Sequence, residues 1–112
     1  PVVDEFPQVP GVEHRHVDAG GLRMHVAEAG EGEPVLALHG WPQHWYLWRD
    51  VIPRLAPHAR VICPDLRGFG WTDAPRGSYL KSVLAADVIA LLDAYWNGAV
   101  RMLVRNDPSV LD

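Results

Sequence analysis

The chain of 112 residues is short of cysteine, of clustered positive charge and of long apolar runs, and each shortage removes a class of protein. Cys63 is the only cysteine, so no intrachain disulfide can form. Within its strand-like run it reads as a small buried hydrophobe. The ten Lys and Arg residues never stand side by side, and the formal net charge is −4. Nucleic acids and anionic membranes recruit clustered cations, so neither is an expected partner. No apolar stretch has the length that spans a bilayer. The opening PVVDEFPQVPG also lacks the basic-then-apolar order of a secretory signal. A cytoplasmic location is therefore expected. Apolar content is not scarce: 48% of the residues are hydrophobic, enough for a real core in one domain.

The patterning divides that domain into short elements. Residues 1–11 hold three prolines and a glycine and read as an irregular arm. Residues 12–19 alternate weakly, Gly20-Gly21 signals a hairpin turn, and residues 22–29 alternate cleanly. Leu22, Met24 and Val26 fall on one face of that second strand, and Arg23, His25 and Ala27 on the other, which predicts a half-buried strand. The acidic stretch from Glu28 to Glu33 reads as a solvated turn. Val35–Leu38 is a continuous apolar run, as expected for a strand covered on both faces. Trp45, Trp48, Ile52 and Leu55 then mark one face of a helix. Pro53 inside it must kink the helix or begin a new first turn. By this spacing Trp45 and Trp48 belong to the core, while Tyr46 lies off the stripe and is expected as a cap or pocket contact. Residues 60–64 form another strand, followed by the Gly/Pro-rich loop DLRGFGWTDAPRG. From about Ser78 to Trp96 a second helix carries Leu80, Leu84, Val88, Leu91 and Tyr95 on one stripe. Residues 99–104, AVRMLV, read as a last strand. A hairpin followed by βαβαβ predicts an α/β fold with a mixed, mostly parallel sheet.

Two motifs fall at the carboxyl ends of strands, where open α/β sheets bind ligands. One is HGWP, residues 39–42; the other is DLRGFGWTD, residues 65–73. Gly40 permits a tight turn and Pro42 stiffens it, leaving the Trp41 amide free to point into a pocket. A fixed backbone donor at a strand end suits an oxyanion site.

The stretches VLALHGWPQHWYLWRDVIPRLA, ARVICPDLRGFGWTDAP and LAADVIALLDA resemble the N-terminal part of the α/β-hydrolase fold, above all its epoxide-hydrolase-like branch. The likeness runs over roughly residues 12–94, and residues 95–112 diverge from it. The resemblance implies a hydrolase acting on a small organic molecule without a cofactor. Trp41 would lend its backbone N–H to an oxyanion hole, with His39, Gly40 and Pro42 shaping the turn. Asp65 and Arg67, with Gly68 and Gly70, would fix the loop after the next strand. In this branch an Asp on a sharp elbow attacks the substrate to form an ester. Water activated by a His–acid pair then hydrolyses it.

An ungapped match places Asn106 at the nucleophile position, and one extra residue places Asp107 there. An amide is a poor nucleophile, which leaves Asp107 as the candidate. Its flanks depart from the family pattern. Arg105 stands where a small residue is needed, and Pro108 has no amide to serve as the second oxyanion donor. None of the histidines His14, His16, His25, His44 or His58 stands in the place of the triad histidine. The expectation is a single partial domain over residues 1–112, truncated before the elbow helix and inactive alone. Self-association through an exposed sheet edge is expected with it. Three further readings stand beside it: a haloalkane dehalogenase, an esterase of the same fold, and a non-catalytic remnant or binding module. Trp41 lacks the amide side chain that dehalogenases commonly carry at the x of HG-x-P, which favours epoxides or esters. His14 and His16 have the spacing of a ligand pair on a strand, but with no third ligand nearby no metal is expected.

Overall fold

A computed structural model describes residues 5–96. Four strands form one mixed sheet in the order β1-β2-β4-β3. They are β1 (Glu13–Ala19), β2 (Leu22–Ala29), β3 (Pro34–Leu36) and β4 (Arg60–Pro64). The Gly20-Gly21 turn closes an antiparallel hairpin that pairs Ala19 with Leu22. Strand β2 also pairs antiparallel with β4, while β3 and β4 run parallel. Residues 99–104, the expected last strand, lie outside the described residues.

Strand β2 is more deeply covered than its alternation predicts. It lies between β1 and β4, and every residue in it except Arg23 is buried. His25 and Glu28 are therefore interior groups, not members of a wet face. Glu28 is not part of a solvated turn. Its carboxylate meets Arg60 Nη2 at 2.8 Å and Arg15 Nε at 3.3 Å.

Strand β3 errs in the opposite direction. It is three residues long, and it pairs only with β4 among the described residues. Val35 and Leu38 stay 36% and 43% exposed, so the apolar run is not covered on both faces.

The helix expected across Trp45–Leu55 is broken in two. Trp45–Trp48 form a 3-10 turn, with bonds from Arg49 N–H to the Tyr46 carbonyl and from Val51 N–H to the Trp48 carbonyl. Pro53 has no N–H to continue the ladder. The register resets there, and α1 (Ile52–Leu55) starts with the proline in its first turn. Trp45 and Ile52 are buried, and Trp48 packs against their cluster with Ala27, Val61 and Cys63. Tyr46, expected as a cap or pocket contact, packs against that same cluster, edge-on to Trp45 and beneath the Arg49 guanidinium.

Helix α2 (Lys81–Trp96) seals the other face of the sheet. Leu91 is fully buried there with Met24, Val26 and Ile62. Leu80 is 68% exposed and is not part of the buried stripe. Its carbonyl accepts from Val83 and Leu84, so it caps the helix with its side chain turned outward. No helix among the described residues is long and apolar enough to cross a membrane.

Candidate functional site

The parallel pair β3–β4 points the HGWP turn and the DLRGFG loop to the same end of the sheet. Gly40, Trp41, Pro42 and Gln43 make a tight turn with a cis Trp41–Pro42 peptide. Gln43 N–H donates to the Gly40 carbonyl at 3.0 Å, and Gly40 N–H donates to Gln43 Oε1 at 3.0 Å. The Trp41 amide makes no hydrogen bond among the described residues. The Trp41 side chain is 82% exposed.

His39 ties this turn to the loop after β4. Leu66 N–H donates to His39 Nε2 at 2.9 Å, so that nitrogen is an acceptor. Nδ1 must then carry the proton, and it donates to the Gly40 carbonyl at 2.8 Å. The buried ring is a neutral strut with both nitrogens engaged.

Asp65 is the centre of the second loop, and it is fully buried. Its Oδ1 accepts from Trp45 N–H at 2.7 Å, and its Oδ2 from Trp71 N–H at 2.9 Å. His25 Nδ1 lies 2.8 Å from Oδ2. Gly70 passes so close that a Cβ there would collide with this carboxylate, and its φ of 53° already suits glycine. At Gly68, with φ 82°, a Cβ would meet the Tyr79 ring at 2.7 Å. Arg67 forks onto Asp87 of α2 with two bonds of 2.7 Å. Those bonds hold its guanidinium above its ordinary pKa and clip the loop to the helix. Thr72 Oγ1 accepts from His25 N–H at 2.9 Å and donates to the Asp65 carbonyl at 2.7 Å.

Between the two loops lies a cleft of about 460 Å³, lined by His39, Gly40, Trp41, Leu66, Phe69, Tyr79, Lys81 and Leu84. An apolar trough of about 380 Å³ adjoins it and shares Leu66 and Leu84. The fold thus brings His39, Gly40 and Trp41 to one wall. Asp65 stands behind the cleft and Arg67 faces α2. Cys63 is buried beside this network, and burial, with the Asp65 charge, pushes its thiol up to about 12. Asp107 and Asn106 lie outside the described residues. No group of three or more His, Cys, Asp or Glu among the described residues is arranged to hold a metal.

The sequence reading gives no part in the site to His25, Gln43, Thr72 or Asp87. Gln43 had a local signal, since a side-chain amide three residues after Gly40 can close the turn. The others are far from their partners along the chain: His25 lies 40 positions from Asp65, Thr72 47 from His25 and Asp87 20 from Arg67.

This fold and its strand-end cleft define an α/β hydrolase architecture, and the comparisons agree. The model of the alpha/beta hydrolase fold family matches residues 33–103, and the chain belongs to that family. A soluble epoxide hydrolase of Corynebacterium sp. is 47% identical over 81 residues, covering 72% of this chain and 28% of the relative. The crystal structure of an epoxide hydrolase from Vigna radiata superposes with a TM-score of 0.74 at 46% identity, over 80% of this chain and 30% of that one. A haloalkane dehalogenase from Agrobacterium tumefaciens superposes at 0.73 with 37% identity, over 77% and 30%. The chain therefore spans about three tenths of the length of the proteins it matches.

Proposed function

We propose that this chain is the N-terminal, oxyanion-side half of an epoxide-hydrolase-like active site. The observation that carries this reading is the Trp41 amide. It has no hydrogen-bond partner among the described residues, in a turn braced by His39 and Gln43 at the lip of the cleft. In the reaction, an aspartate opens the epoxide and becomes an alkyl ester. Water attack on that ester places negative charge on its carbonyl oxygen. A braced N–H lowers that barrier because it needs no reorganisation when the charge forms. Asp107 is the candidate nucleophile within this chain. The similarity to epoxide hydrolases supports the substrate class.

The chain alone is proposed to be without turnover. His39 is the only histidine lining the cleft among the described residues, and its nitrogens are both engaged, so it cannot activate water. The haloalkane dehalogenase match keeps halide displacement as the second reading. The test offers the purified chain, and the longest product its gene encodes, a chromogenic epoxide, an ester and a small bromoalkane. Diol formation by the longer product alone is the expected result. Turnover by the 112-residue chain overturns the half-site reading, and bromide release in place of diol moves the assignment to a dehalogenase.

A further inference from the structure

Behind the cleft, three titratable side chains stand in a hydrogen-bonded line that the proposed chemistry does not use. His14 Nδ1 lies 2.9 Å from His25 Nε2, and His25 Nδ1 lies 2.8 Å from Asp65 Oδ2. His25 and Asp65 are completely buried, while His14 is half-buried on β1. Aromatic rings wall in the line. Phe6 stacks on His14 at 4.1 Å and on His25 at 4.6 Å, and Trp45 and Trp71 face His25 at 6.0 and 5.9 Å. The titratable groups facing the pair are His16 on β1, with its ring 5.6 Å from His25, and Asp65 beyond β4.

We propose that His25 and His14 are positioning residues for the cleft, and that they hold its two loops through Asp65 only while the pair carries no more than one added proton. Asp65 is the link. The carboxylate that His25 orients also holds the Trp45 amide after the HGWP turn and the Trp71 amide in the DLRGFGWTD loop. The proposal takes the cleft as the working surface of the half-site reading, but the line of bonds stands without it.

The proton count follows from the geometry. His25 Nδ1–H donates to the carboxylate, which can only accept, so His25 Nε2 accepts from His14 Nδ1–H. A first added proton goes to His14 Nε2 at the outer end, and every bond survives. A second can go only to His25 Nε2. Two N–H groups then face each other across 2.9 Å and the His14–His25 bond is lost. Burial and the neighbouring His25 hold the His14 pKa below its ordinary 6.5, which moves the first step to acid.

The imidazole nitrogens of the chain, followed by long-range proton–nitrogen NMR, test this together with the Trp45 and Trp71 amides. At neutral pH, His14 Nδ1 is expected to be protonated and His25 Nε2 bare. On acidification His14 Nε2 takes up the first proton with little change at the two amides, and the second event moves both amides together. His25→Asn keeps a donor near the Nδ1 position and removes the titrating ring. Its amides should stay near their wild-type positions and lose their acid response. His25→Leu fills the space without a donor and should displace both amides at every pH. Wild-type amide positions in His25→Leu, or an unchanged acid response in His25→Asn, overturn the proposal. Should either variant fail to fold, the wild-type spectrum decides, because a bare His14 Nδ1 at neutral pH overturns it alone. Turnover is not read, so failure here is distinct from failure of the half-site reading.

Discussion

The two ends of the sheet are built on different terms. At the hairpin end, β2 is covered on both faces, and its buried side chains are held by partners: His25 by Asp65, Glu28 by Arg60 and Arg15. At the β3 end, Val35, Leu38, Trp41, Leu80 and Ile89 are exposed, and the neighbouring cleft and trough are mostly apolar. Buried polar groups are tolerated only when paired, so the closed end fixes one arrangement. The open end carries few such constraints and leaves room for a ligand. A rigid closed end beside an open one suits a site whose donors must stay still while its contents change.

That contrast can be broken from the closed side. Asp65→Ala strands three donors in a dry interior, and we expect a loss of about 3–5 kcal/mol in urea unfolding. Gly70→Ala drives a methyl into the same carboxylate at a positive φ. It should cost about 1–3 kcal/mol, and the Trp71 amide resonance should move with it. Acid acts on the same region. The folded state holds His14 below its unfolded value of 6.5, so the unfolded chain binds more protons just below neutrality. The His14 contribution is complete above about pH 6.5 and falls away as pH drops through the lower folded value. His14→Phe should flatten that slope in a series of urea melts. On the open side, Leu80→Ala should change stability by no more than about 0.5 kcal/mol. The smallest response belongs to Cys63, whose buried thiol near 12 should resist alkylation at pH 8 until the chain is unfolded.

The sequence makes legible what is set by neighbours along the chain. Gly20-Gly21 marks the hairpin, Pro53 marks the helical restart, and the Trp45–Ile52 spacing marks the core face. The HGWP turn is legible for the same reason, since Gly40, Pro42 and the backbone around them define it locally. His25 and Glu28 are misread because alternation reports one strand alone. Burial on both faces comes from the Trp45–Ile52 segment on one side and α2 on the other, which follow later in the chain. Leu38 is misread in reverse, because an apolar run cannot say whether a neighbour will cover it. Arg67 is visible as a loop residue, but its partner Asp87 is hidden until α2 crosses the sheet.

The Asp65 carboxylate also sets an order of assembly. Its bonds reach residues 6, 20 and 40 positions away, at Trp71, Trp45 and His25. The nearest contact closes a small loop and the farthest closes a large one, which carries the greater entropic cost. The full set of Asp65 bonds is complete only once the hairpin has met β4 across that longest span. The buried carboxylate behind the cleft therefore ties the local turn chemistry to the longest-range pairing in the sheet.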